Sequence, residues 1–341
     1  MFIAITMNLF FSFIVPVYNR PNEIDELLQS LLEQTYTKAY EIVIIEDGST
    51  ISSKEVIAIY QEQLPITYLE KTNSGPGDSR NYGMKHAKGN YFVVLDSDCI
   101  LPPNYLLEAS EALEKEYVDC YGGPDAAHAS FSKVQKAINY AMTSLLTTGG
   151  IRGNKKAVDK FQPRSFNMGI SKIAFEATGG YGNIHPGEDP DLTIRIWNNG
   201  YKTKLLPNAF VYHKRRIDWN KFYIQVNKFG MVRPILNKWH PETKKITYWF
   251  PTLFCLFFLV SILLFVLGFG FPLYLYALYF CLIFIDSLLK NNNLGIALLS
   301  IVAVCIQFIG YGYGFLKATL TLNFSKNRAE DLFPKLFFKT K

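Results

Sequence analysis

Charge is missing from two long stretches of this 341-residue chain. No Asp, Glu, Lys or Arg occurs between Ile246 and Ile285, and none between Asn291 and Leu316. A membrane-crossing helix needs about 20 apolar residues. The first stretch is therefore long enough for two spans and the second for one, with Gly268-Phe269-Gly270-Phe271-Pro272 as the turn between the first two. The expected spans are 248–268, 271–289 and 294–318. Cysteine is sparse too: Cys99, Cys120, Cys255, Cys281 and Cys305 form no C-x-x-C pair. That argues against a zinc or disulfide frame and suits reduced packing residues in a cytosolic or membrane setting. Internal repeats and low-complexity tracts are absent. The apolar opening Met1–Ser12 lacks a basic leader and a small-residue cleavage site, so it reads as a first strand running into Phe13-Ile14-Val15, not as a signal peptide. The net charge of +6 is too thin for a nucleic-acid binder and suits anionic substrates or anionic lipid.

What is present begins with Tyr91–Leu95, a continuous apolar run of the kind buried on both faces of a parallel sheet. It stops at Asp96-Ser97-Asp98, and Pro102-Pro103 blocks continuation. Two carboxylates at i and i+2, leaving the carboxyl end of a buried strand, sit where open α/β sheets bind ligands. Hard oxygen ligands at that spacing suit Mg²⁺ or Mn²⁺ bridging to phosphate oxygens.

The rest of the first two-thirds alternates strand and helix. Val15–Arg20 reads as a loop, and Ile24, Leu27, Leu28, Leu31 and Leu32 recur at helical spacing. Glu41–Glu46 is a strand ending in Asp47-Gly48-Ser49-Thr50, with Ser52 or Ser53 capping the next helix. Ile66–Leu69 is a strand, and the Gly-rich Asn73–Asn81 opens a helix that closes at Gly89. Further on come a helix over Pro102–Glu116, a strand over Val118–Gly122 and a helix over Ser132–Leu146. Gly149 to Pro163, with Arg152, Lys155, Lys156 and Lys160, has no apolar period and reads as a mobile lid or an ordinary solvated loop. A strand at Phe166–Ile170 precedes Gly187-Glu188-Asp189-Pro190-Asp191, which heads a helix through Trp197. Strands at Lys204–Leu206 and Phe210–His213 lead into Lys214-Arg215-Arg216. Asp218–Lys238 mixes aromatic and basic residues, as a helix in a membrane interface or a core helix would. This alternation predicts a parallel, doubly wound sheet whose polar loops converge at its carboxyl edge.

Val15–Asn19, Glu41–Ser49, Gly75–Asn81, Asp96–Asp98 and Gly187–Asp189, in this order and spacing, resemble the family 2 glycosyltransferases of GT-A fold over about residues 9–215. The resemblance implies a mostly parallel nucleotide-binding sheet with helices on both faces, a nucleotide-sugar donor and a divalent metal, Mn²⁺ or Mg²⁺. It places Pro16, Val17 and Tyr18 against the base, with Asp47 accepting from a base N–H. Gly75 lies in the Gly-rich loop, from which Arg80 reaches the base or the pyrophosphate. Asp96, with Ser97, holds the ribose side and Asp98 holds the metal, with His213 as a further ligand. Asp189 becomes the general base of an inverting transfer, which Glu188 and Asp191 tune or replace. Each residue has a plainer reading: Asp47 a turn former before glycine, Arg80 a surface cation, Glu188 and Asp189 acids favoured at a helix N-terminus, His213 a structural strand end.

One departure narrows the reading. The family's processive synthases carry a Q-x-x-R-W type motif, and here Lys214-Arg215-Arg216 and Arg233 occupy that region instead. That favours transfer of one or a few sugars to a lipid-linked or cell-surface glycan, and the base-binding residues suggest UDP more than GDP. The alternatives are a polyprenyl-phosphate glycosyltransferase and a membrane-tethered nucleotide-sugar binder without catalysis. The expected organisation is a GT-A catalytic domain over 1–215, an interfacial helix and linker over 216–245, a membrane region over 246–322 and a basic tail over 323–341. A multi-pass protein of the inner membrane with its catalytic domain in the cytoplasm follows. Three full spans then leave the basic tail outside, against the positive-inside tendency.

Overall fold

Apolar runs without alternation can be covered on both faces only as inner strands of a sheet flanked by helices. The computed structural model describes residues 8–126, 131–148, 161–213 and 218–338, and there the runs do become inner strands. Parallel strands β1 (Phe11–Val17), β2 (Tyr40–Asp47), β3 (Ile66–Lys71) and β4 (Tyr91–Leu95) are joined by helices α1 (Pro21–Leu32), α2 (Lys54–Tyr60) and α3 (Pro76–His86). Then follow β5 (Cys99–Ile100), α4 (Tyr105–Lys115), β6 (Cys120–Gly122), β7 (Asp125–Ala126), α5 (Lys133–Thr143) and α6 (Leu145–Thr148). The chain continues through β8 (Asn167–Ser171), α7 (Lys172–Thr178), α8 (Glu188–Asn198), β9 (Thr203–Leu205) and β10 (Val211–His213). Helices α9 (Trp219–Trp239), α10 (Phe250–Val266), α11 (Phe271–Asn291), α12 (Leu294–Phe324) and α13 (Ala329–Leu332) complete it. The basic residues Arg152, Lys155, Lys156 and Lys160 of the expected lid, and Lys214-Arg215-Arg216, lie outside the described residues.

The larger sheet has the order β3-β2-β1-β4-β8-β6-β9, with only β8 antiparallel to its neighbours. Strand order therefore reverses between β1 and β4, and the crevice beyond their carboxyl ends is the switch point where such sheets take ligands. Alternate residues of β1 feed opposite cores: Phe11, Phe13, Val15 and Val17 pack with α1 and α4, while Ile14 joins Met84, Phe92 and Leu192. A smaller sheet, β5-β10-β7, sets His213 opposite Cys99 in antiparallel register.

Two local expectations are corrected. β1 runs on through Pro16 and Val17, which were expected in a loop. Pairing with β4 stops at Ile14, so the missing proline N–H falls where β1 has only β2 beside it. Ser53 stands at the start of α2, but its hydroxyl caps nothing; its N–H goes instead to Glu46 Oε2 at 2.8 Å. The Ser52 hydroxyl accepts from the Lys54 N–H at 3.2 Å.

The described residues fall into two compact units, one of residues 8–126, 161–213 and Phe338, the other of 131–148 and 218–337. Helices α5 and α6 thus belong with the C-terminal helices, whereas a catalytic domain unbroken over 1–215 was expected. The reason is apolar: Ile138, Ala141 and Met142 share a core with Phe222, Val226, Val304 and Phe308. Within this second unit α9 lies on α12 with very little between the backbones. A Cβ on Gly230 would fall onto the Tyr311 carbonyl oxygen and 2.9 Å from the Phe315 nitrogen, and one on Gly314 would meet the Asn227 carbonyl. Small residues permit this approach, as in membrane helix pairs, and Asn227 Nδ2 donates to Gly310 O at 3.0 Å. Among the described residues three helices are long and apolar enough to cross a membrane: Ile246–Val266, Phe271–Asn291 and Leu294–Phe324. Leu259, Val266, Phe271 and Leu289 stand exposed on them, a surface water does not favour.

Candidate donor and metal site

The end of β4 and the end of β10 meet. His213 Nε2 lies 3.2 Å from Asp98 Oδ1 and 3.9 Å from Asp96 Oδ2, and its ring is stacked on Phe166 with centroids 4.6 Å apart. From the loop after β1, Arg20 Nη1 donates to Asp98 Oδ2 at 2.6 Å, an ion pair that spans the switch point. Burial pushes the Asp98 carboxyl up, but the charges of His213 and Arg20 outweigh it and hold the group below the usual carboxylate range.

The chemistry of this cluster fits a divalent cation. Asp98 Oδ1 is buried and accepts no hydrogen bond, although the imidazole nitrogen is beside it. One carboxylate oxygen and one imidazole nitrogen are donors that Mn²⁺ or Mg²⁺ accepts. Cys99 Sγ shares the cluster, but burial drives its thiol up and it donates to Phe166 O at 3.4 Å. As a soft ligand it suits Mn²⁺ or Mg²⁺ less than the oxygen and nitrogen donors do.

Beyond β2, Asp47 is filled by its own chain. Its Oδ1 accepts from Lys71 Nζ at 2.8 Å and the Ser74 N–H at 3.0 Å. Its Oδ2 accepts from the Gly75 N–H at 3.0 Å and Asn73 Nδ2 at 3.2 Å. A carboxylate has about four such sites, so the bond expected from a base N–H requires one of these to open. In this structure Asp47 instead shapes the Gly-rich loop, in which Gly75 takes a φ of +94°, a conformation side chains resist. Nearby, Asn19 Oδ1 accepts from the Thr50 and Ile51 N–H groups at 2.8 and 2.9 Å, tying together the loops after β1 and β2. Tyr18 stands 50% exposed at that edge, Pro16 is half-buried, and Val17 is in the core, leaving its backbone alone to a ligand.

Arg80, read from sequence as reaching the donor, is buried in α3 and already committed. Its Nη2 donates to Asp96 Oδ1 at 2.7 Å, its Nη1 to Glu188 Oε1 at 3.1 Å, and it lies over the Tyr181 ring. Glu188 Oε1 is also 3.0 Å from His185 Nδ1. Burial raises the Glu188 carboxyl, but His185 and Arg80 overcome it and bring it down to about 2. This buried anion braces Arg80 and is not placed to replace a base. Asp191, the other neighbour considered, is buried and bonded to Arg195 Nη2 at 2.7 Å. Of the three acids in the first turn of α8, Asp189 is the one only half-buried, its Oδ2 lying 3.5 Å from Arg164 Nη1. Ser97 is buried.

The site therefore gathers Asp96, Asp98 and His213 at one edge and braces Arg80 between Asp96 and Glu188. Arg20, Arg164 and His185 were not singled out from sequence. His185 had a usable signal, three residues before Glu188 at the head of a helix. Arg20 closes the Val15–Asn19 motif, where a cation after a first strand could have been paired with the carboxylates after β4.

Comparison with known proteins places the architecture. The glycosyl transferase family 2 profile matches residues 12–176, a span that takes in Asp47, Arg80, Asp96 and Asp98 and stops before Asp189 and His213. A glycosyltransferase of Rickettsia conorii is 48% identical over 87 residues, 26% of this chain and 14% of that protein. One from Rickettsia bellii is 32% identical over 188 residues, 54% of this chain and 26% of that protein. The Staphylococcus aureus poly(ribitol-phosphate) β-N-acetylglucosaminyltransferase TarS is 34% identical over 112 residues, 32% of this chain and 20% of that protein. The chain thus matches about a quarter or less of the length of each. Among solved structures, TarS residues 1–349 superpose with a TM-score of 0.50 at 21% identity, over 67% of this chain and 64% of that one. The mannosyltransferase PcManGT of Pyrobaculum calidifontis, solved with GDP-Man and Mn²⁺, gives 0.55 at 16% identity, over 94% of this chain and 89% of that one. Both bear on the fold.

Proposed function

We propose that this chain, which belongs to glycosyl transferase family 2 through residues 12–176, moves a sugar with inversion from a nucleotide-sugar donor to a hydroxyl of a glycan or lipid-linked acceptor. The observation that carries the reading is the meeting of Asp98 and His213, 3.2 Å apart, at the sheet's switch point. Family membership and the GT-A-like sheet support a nucleotide-sugar donor.

In this reading the acceptor oxygen attacks the anomeric carbon opposite the diphosphate, the bond to the diphosphate oxygen breaks, and Asp189 takes the hydroxyl proton. Arg164 Nη1 stands 3.5 Å from Asp189 Oδ2 and fixes where that carboxylate lies. Arg80 and Glu188 act as positioning residues, since a buried guanidinium held at both ends fixes the direction of Asp96. Asp98 and His213 would hold a divalent Mn²⁺ or Mg²⁺, which when bound would neutralise charge on the departing diphosphate. Lipid around 246–324 holds the protein in the inner membrane, with the sheet unit on the cytoplasmic side where nucleotide sugars are made. The name of the TarS relative, a β-N-acetylglucosaminyltransferase, makes nucleotide-activated N-acetylglucosamine the first donor to try.

The test is nucleoside diphosphate release by detergent-solubilised protein across UDP-, GDP- and dTDP-sugars, with Mn²⁺, with Mg²⁺ and with chelator. One donor should turn over, and only with metal. Asp189→Asn should lower turnover by about 100-fold or more while calorimetry shows unchanged donor binding. Turnover equal to wild type in that variant would remove Asp189 as the base. Binding without turnover in the wild type, with every acceptor supplied, would leave a nucleotide-sugar binding protein.

A further inference from the structure

Phe338 is more than 250 residues from the donor loop in sequence, yet it lies on it. A Cβ on Gly75 would come 2.5 Å from Phe338 Cγ, so the ring rests directly on the Gly75 backbone. The Phe338 N–H donates to Asn183 O at 3.0 Å, and the ring is 5.9 Å from that of His185. These contacts fall on two different loops. Gly75 donates to Asp47 in the Gly-rich loop, while Asn183 and His185 belong to the turn that leads to Glu188 and Asp189.

The two loops are already joined beneath the ring. Asn81 Nδ2 donates to Tyr181 O and the Tyr181 N–H returns to Asn81 Oδ1, both at 2.8 Å. A Cβ on Gly77 would come 2.9 Å from Gly182 O. Phe338 covers the outer end of this seam, which no other described aromatic ring pairs with at His185. Resting on the donor-site reading above, we propose that Phe338 is a positioning residue of the donor site, holding the Gly-rich loop against the loop that carries Glu188 and Asp189. Gly75 then has two reasons to lack a side chain: its φ of +94° and the ring that occupies the Cβ position. Removing the ring lets the Gly75–Pro76 turn move away from the 183–187 turn, and a bound nucleotide must then order both.

The experiment uses the full chain in detergent, with UDP, GDP and dTDP as calorimetric probes and thermal unfolding measured beside them. Phe338→Ala should weaken the nucleotide that the wild type binds by about tenfold, equivalent to about 1.4 kcal/mol, with the unfolding midpoint unchanged. Phe338→Tyr, which keeps the ring, should restore wild-type affinity. Wild-type affinity in Phe338→Ala would overturn the proposal. So would a lowered unfolding midpoint shared by the Ala and Tyr variants, which marks a packing role only. If Phe338→Ala does not accumulate folded, Phe338→Leu takes its place and must show weaker binding at an unchanged midpoint. A wild-type protein that binds none of UDP, GDP and dTDP would overturn the donor reading itself, and this proposal with it.

Discussion

At the scale of single residues, the site is organised by buried ion pairs whose members lie far apart in the chain. Arg80 joins Asp96 and Glu188, and Arg20 joins Asp98; burial alone would raise the Asp98 and Glu188 carboxyls, and their cationic partners hold both below the usual carboxylate range. Breaking such a set by removing one partner is far more damaging than its net contribution suggests. Glu188 offers a clean reading of this. Its carboxyl is held at about 2 against an ordinary value of 4.5. A depressed folded-state value means that the group stabilises the fold fully above pH 4.5 and loses this contribution as pH falls toward 2. The contribution is on the order of 3 kcal/mol. Thermal unfolding followed from pH 5 down to about 2 should therefore show wild type well above Glu188→Gln at the upper end and the two curves converging at the lower end. A constant gap across the range would mean that the His185 and Arg80 pairings do not set the Glu188 titration.

At the scale of elements, what was legible depended on whether a signal was local. The run Tyr91–Leu95 and its stop at Asp96 declare a buried strand and its loop without help from the rest of the chain. A five-residue strand such as β8 carries no mark of its direction, and its antiparallel course was not foreseen. Asp47 showed the position of a turn, but not that Lys71, Asn73, Ser74 and Gly75 would use up its oxygens, because those donors arrive from the next strand and loop. The apolar spacing of α5 marked a face to be covered and left the partner open. For α9, the interfacial and core readings were even; its buried Phe222 and Val226 pack with Val304 and Phe308 inside the second unit. That packing depends on glycine. Gly230→Leu must push α9 away from Tyr311 and Phe315, and should cost about 2 to 3 kcal/mol by overpacking. Thermal unfolding in a mild detergent would register this as a lower midpoint, and an unchanged midpoint would mean that α9 and α12 are not pressed together there.

At the scale of the whole molecule, the question is whether the sheet unit is a domain that can be cut free at its C-terminal side. The five family motifs end by Asp189 and the last strand by His213, which invites a cut just before the first apolar helix. The packing argues against it. Helix α5, in the middle of the sheet unit's sequence, buries Ile138, Ala141 and Met142 in a core shared with Ile283, Val304 and Phe308. It is also fastened by polar bonds, Tyr140 Oη donating to Asp286 Oδ2 at 2.7 Å and Ser144 Oγ to the same oxygen at 3.2 Å. A chain ending at residue 245 keeps α5 and α9 but loses every one of those partners from α11 and α12. Each large apolar side chain so uncovered forfeits about 1.5 to 3 kcal/mol of burial, and together they form a patch of the kind that drives association. The truncated chain should therefore elute as aggregate from size-exclusion chromatography without detergent, although its first candidate span is gone, and detergent should return it to a monodisperse peak. Adding Ile138→Ser and Met142→Ser to the truncation should reduce the aggregate, since these residues supply the exposed face. A monodisperse, detergent-free 1–245 fragment would show instead that α5 finds cover without the apolar helices, and that the cut suggested by the motifs is a true domain boundary.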